Sequence, residues 1–130
     1  MTALADQSLQ WLRDFHAVWA YVAIVANALA GIVLLVVWRV ERWRGRWMWI
    51  PTIAAEAAMM LQVLVGVTLV ASHQFVAPRF HMFYGFVAFL TVGIAYSYRQ
   101  QMRGRRELFY GLVGLFIMGL GIRAILQATG

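Results

Sequence analysis

Apolar residues fall in four long stretches, separated by short clusters of arginine, aromatic and turn residues. The stretches are Phe15–Trp38, Trp49–Ser72, Phe80–Tyr98 and Leu108–Leu126. A helix needs about 20 such residues to cross a bilayer, and together the four take 86 of the 130 residues. The remainder is a 14-residue N-terminal segment, connections of 10, 7 and 9 residues, and a four-residue tail. Connections this short make consecutive spans antiparallel neighbours. The expected fold is an all-α membrane protein, an up-down bundle of four transmembrane helices forming one integral domain over residues 1–130.

Small and polar positions recur at helical spacing inside each span, which marks the faces expected to point inward. Span one has His16, Ala20, Ala23, Asn27 and Ala30. Span two has Thr52, Glu56, Met59, Val63, Gly66, Val70 and His73, alternating by four and three as in the seam of a left-handed helix pair. In span three the face is His81, Gly85, Ala88, Thr91 or Val92, Ala95 and Tyr98, and span four is smoothed by Gly111, Gly114 and Gly121, with Gly119 as a second small patch. Asn27 and Gln62 both fall near mid-span on adjacent helices and are expected to hydrogen-bond to each other as a structural polar pair. Residues Leu9–Phe15, with Trp11 as anchor, are expected to lie along the membrane surface ahead of span one.

Composition agrees with this pattern. Hydrophobic residues make up 63% of the chain and charged residues 12%, against about 45–50% and 25% in a soluble domain. An ordinary soluble enzyme, a disordered tail and a disulfide scaffold are excluded; with no cysteine, so are thiol chemistry and thiolate metal sites. The net charge is +6 and every basic residue is arginine. Four arginines (Arg39, Arg42, Arg44, Arg46) lie between spans one and two, and four more (Arg99, Arg103, Arg105, Arg106) between spans three and four; only Arg13, Arg79 and Arg123 lie toward the other rim. Short arginine-rich loops stay cytoplasmic, which places the chain in the plasma (inner) membrane with both termini outside. This distribution suits topology and anionic lipid rather than nucleic acid. The opening MTALADQSLQWLRDF has two acids and no early base, unlike the basic start of a cleaved signal.

Two features could carry chemistry. The three histidines sit at span ends on one side: His16 opens span one, His73 closes span two and His81 opens span three. Imidazole is a common metal and haem-iron ligand, and Arg79 and Arg123, on the same rim, could pair with haem propionates. Equally, a histidine at an interface is an amphipathic residue with one wet end. The second feature is Glu56, about 9 Å inside the arginine-rich edge at 1.5 Å per residue. An ionisable group within a span is costly and commonly functional, so Glu56 is a candidate proton or ion site; the structural alternative is a carboxyl hydrogen-bonded to Tyr96, Tyr98 or Tyr110. The seven methionines are dispersed, which favours gap-filling over a copper site.

The segment FHMFYGFVAFLTVGIAYSYR at 80–99 resembles helices of bacterial membrane b-type cytochromes, with a histidine near one end and small residues below it. LQVLVG at 61–66 is similar to segments of small four-helix membrane proteins grouped with them. The likeness in layout covers spans one to three. It implies haem b as cofactor, His81 and His16 as the axial pair and His73 as the other candidate. A two-haem member needs histidines near both faces, and this chain has them on one side only, so at most one haem follows. Four helices with one membrane glutamate also resemble small multidrug-resistance exporters, which keep that acid in the first helix rather than the second.

No nucleophile–base pair, phosphate loop or metalloprotease motif is present in the sequence. The leading expectation is a small integral subunit or accessory protein that packs against other membrane subunits, or against itself, within a respiratory or electron-transfer complex. The alternatives are a b-type haem electron carrier with ligands at the outer face, and a proton-coupled exporter using Glu56.

Overall fold

The computed structural model describes residues 2–129. It contains four long helices: α1 (Thr2–Arg39), α2 (Trp49–Ala71), α3 (Arg79–Ser97) and α4 (Arg106–Thr129). Each is long and apolar enough to cross a membrane. The helix ends match the apolar stretches closely, except at the start. There α1 runs unbroken through Leu9–Phe15, so these residues extend the first long helix instead of forming a separate surface segment.

Interhelical contacts fix the directions. Asn27 meets Ala55 and His16 meets Gln62, so α1 and α2 are antiparallel. Gly31 lies against Gly111, and Asn27 against Gly114, so α1 and α4 are antiparallel too. Tyr110 bonds to Ala95 and His81 to Ala124, which reverses α3 against α4. The histidine-bearing ends therefore lie together, and so do the two arginine-rich connections.

Loop length predicts that consecutive helices pack best, yet the most extensive interface joins α1 to α4, and the α2–α3 interface is thin. Glycine explains the difference. A Cβ built on Gly114 would lie 2.8 Å from the Asn27 carbonyl oxygen, and one on Gly31 would lie 2.8 Å from the Gly111 oxygen. The two backbones touch because neither carries a side chain there, and close approach is what drives helix association in lipid. Two apolar clusters flank this crossing. Ala23, Met59, Ala88, Val92, Ile117 and Leu120 form one; Leu34, Val37, Met48, Ala95 and Tyr110 form the other, nearer the arginine end.

The buried face of α2 differs from the sequence reading. It comprises Thr52, Ala55, Met59, Gln62, Val65 and Leu69, a rotation of about one residue that moves Glu56, Val63 and Val70 to its shoulder. Asn27 and Gln62 do not pair. The Asn27 amide donates to the carbonyls of Ala23 (2.8 Å) and Ala55 (3.0 Å), and the Gln62 amide donates to the carbonyl of His16 (2.8 Å). In the antiparallel register Asn27 is level with Ala55, two turns from Gln62, so each side chain bonds the backbone opposite it. Asn27→Ala should lower stability by about 0.6–1.7 kcal/mol, the range of such bonds in membrane bundles. Unfolding in a denaturing detergent mixture would read this, and an unchanged midpoint would contradict it.

Two arginines in the connections do more than carry charge. Arg44 donates to the carbonyls of Val37 (2.9 Å) and Trp38 (2.7 Å), satisfying acceptors left open at the end of α1. Arg106 likewise donates to the carbonyl of Arg99 (2.6 Å).

Candidate functional site

His16 on α1 and His81 on α3 meet at the histidine end, although their helices are diagonally opposed in the bundle. Their ring centres are 6.2 Å apart and the ring planes nearly perpendicular, at 85°. Both are half-buried.

Each ring is held differently. His81 Nδ1 lies 2.7 Å from the carbonyl oxygen of Ala124 on α4. A carbonyl only accepts, so Nδ1 must carry the hydrogen, and in the neutral ring Nε2 keeps a free lone pair. A histidine that ligates a metal characteristically gives its other N–H to just such an acceptor. The His16 ring rests on α2: a Cβ at Gly66 would sit 3.0 Å from its Cε1. Its backbone is tied by the Gln62 amide one turn away. His16 Nδ1 is buried without a hydrogen-bond partner, as is Gln62 Oε1. Below the pair the helices stay slender. Gly85, one turn from His81, has no atom within 4 Å of its Cβ position, and Ala20 is one turn from His16.

The other candidates lie at the same end of the bundle, and Arg123 adjoins Ala124, whose carbonyl meets His81. His73 is exposed just past the end of α2, in the left-handed conformation at φ 63°. Arg79 is exposed. Arg123 is exposed and reaches Tyr84, with Nη2 3.3 Å from the phenol oxygen and the guanidinium 5.6 Å from the ring centre. No group of three or more histidine, aspartate or glutamate side chains could hold a metal ion among the described residues.

Glu56 is half-buried on the shoulder of α2, and Tyr110 was one of its expected partners. The tyrosine hydroxyl does not bond to it; it donates to the Ala95 carbonyl at 2.9 Å, while the Tyr110 ring packs edge-on against Trp49. Tyr96 and Tyr98 are exposed at the end of α3. The expected tyrosine–glutamate bond is therefore replaced at Tyr110 by a bond between α4 and α3. Two surface depressions are lined by α1 with α2, and by α4 alone; neither includes Glu56, His16 or His81.

Sequence reasoning missed Gly66 and Ala124 as parts of the histidine layer. Gly66 could have been found from its glycine on the α2 face. Ala124 contributes only its backbone oxygen, for which side-chain identity gives no signal. No protein-family model, curated protein or solved structure matches this chain.

Proposed function

We propose that this protein is a small four-helix membrane subunit that holds one b-type haem between His16 and His81 and passes electrons within a larger membrane complex. The observation that carries the reading is the approach of two imidazoles from diagonal helices to 6.2 Å between ring centres. These two imidazoles would be the residues that hold such a group, since imidazole is a common haem-iron ligand.

The donor set supports haem over a bare ion. Zinc sites need three or four protein ligands, and this layer supplies two. A haem brings its own equatorial nitrogens and needs only axial ligands from the protein. The orphaned His16 Nδ1 and the slender helix surfaces at Gly85 and Ala20 also fit a group seated here. When bound, such a group supplies one-electron chemistry. The chain's own residues do the positioning. The Ala124 carbonyl fixes the tautomer of His81, Gly66 makes room for the His16 ring, and the Gln62 amide holds the backbone that carries it.

The absorption spectrum of protein purified from haem-replete cells, or reconstituted with haemin, tests the proposal. A Soret band with the sharp reduced bands of a bis-imidazole haem is expected, and a colourless protein in both preparations would refute it.

We further propose that the arginine-rich connections face the cytoplasm and the histidine layer faces outward, from the eight-to-three division of arginines. An impermeant thiol reagent added outside should label Val76→Cys, whose native side chain is 97% exposed. It should not label Arg103→Cys. The reverse pattern would invert the orientation.

A further inference from the structure

The outer surface of the α1–α2 hairpin carries an open groove of about 540 Å³. Its floor is alanine, from Ala26 and Ala30 on α1 and Ala54 and Ala58 on α2, and it begins at Pro51. No charged side chain lines it.

Its length and its two ends set it apart from the rest of the apolar surface. Along α2 it runs from Pro51 to Leu61, ten residues or about 15 Å. That is half the roughly 30 Å of hydrocarbon in a bilayer, and Leu61 lies near the middle of α2. At mid-helix the groove is closed by Trp19. The indole is fixed there by its bond to the Ala58 carbonyl (2.8 Å) and by stacking on Phe15 at 5.3 Å. At the other end lies the connection that joins the same two helices. It carries Arg39, Arg42 and Arg46, all exposed, against the single acid Glu41. Arg44 is committed to capping α1 and to Glu41 at 3.9 Å.

From this we infer that the α1–α2 groove is a binding site for one acyl chain of an anionic phospholipid, drawn from the leaflet at the arginine-rich end. The inference rests on the reading that the helices span a bilayer, and it is independent of haem. A groove one leaflet deep, blocked at the midplane and positively charged at its mouth, matches a lipid in length and in charge. A helix from a second copy fits it poorly. Such a helix is about 10 Å wide and would run the full span, so it would meet the Trp19 wall halfway.

The test uses the full chain in phosphatidylcholine bilayers, doped with phosphatidylglycerol or phosphatidylcholine spin-labelled near the end of one acyl chain. Electron paramagnetic resonance reads the immobilised fraction. Phosphatidylglycerol should be held preferentially. Ala54→Phe, which fills the groove from an exposed position, should remove the preference, and Ala57→Phe provides a second filling variant should the first fail to fold. Replacing Arg39, Arg42 and Arg46 by glutamine should reduce it by up to about fivefold for each charge removed. Equal immobilisation of both lipids by the native chain would overturn the inference. So would an unchanged preference in a folded Ala54→Phe variant, or a cross-linked dimer that this substitution dissolves.

Discussion

His16→Ala and His81→Ala should each abolish the haem spectrum, whereas His73→Ala should leave it intact. This is the result expected if the two rings that meet at 6.2 Å are the axial pair, because a bis-imidazole spectrum needs both. His73 is exposed beyond α2 and belongs to no metal-competent cluster. Circular dichroism should show all three variants helical, since each ring is only half-buried or exposed and none is central to an apolar cluster. A finer test lies at Gly66. Any side chain there begins 3.0 Å from the His16 ring, so Gly66→Val must turn the imidazole. Disturbing ligand orientation typically costs about 10–100-fold in affinity, and haem retention should fall by that order. Native-like spectra from both His16→Ala and His81→Ala would remove the site.

The largest effect on stability is expected at Gly114, and its control is on the same helix. Gly114→Ala places a Cβ 2.8 Å from the Asn27 oxygen and 3.1 Å from the Gly31 Cα. Both are backbone atoms of α1 and cannot swing aside, so the two helices must separate. Overpacking of this kind costs about 1–3 kcal/mol, and Gly114→Leu should prevent closure altogether. Gly119→Ala meets nothing within 4 Å, and in a helix alanine is favoured over glycine by up to about 1 kcal/mol. The two substitutions are chemically identical and should differ in sign. Equal shifts in the unfolding midpoint would mean that α1 and α4 do not approach as closely as described.

The four helices were legible because a run of some 20 apolar residues has few other uses, and their antiparallel order follows from the short connections. Helix rotation was less legible. A face read from apolar spacing treats Gln62 as a bystander, but its amide needs an acceptor, and the α1 backbone supplies one. That bond, with Ala55 and Ala58 allowing α1 close, turns α2 by about one residue. The same limit applies to Asn27 and Gln62, whose levels depend on interhelical register rather than on distance from a span end. The place of His16 and His81 at one end follows from the sequence. That their rings meet depends on helix rotations and on a backbone oxygen at Ala124, neither of which a side-chain pattern encodes.

The dominance of the α1–α4 interface has a consequence for biogenesis. Helices in a membrane are inserted first and associate afterwards, and the chain emerges from the ribosome in order. While α1, α2 and α3 are already in place, the face of α1 around Gly31 still has no partner, because the surface that matches it is made last. If the helices insert as proposed, that seam, including the backbone oxygens that α4 will cover, would stay open until α4 arrives. Closure of the α1–α4 seam therefore has to wait until α4 has been made. A ribosome stalled before Gly111 would leave an intermediate that membrane quality control can distinguish from the finished bundle.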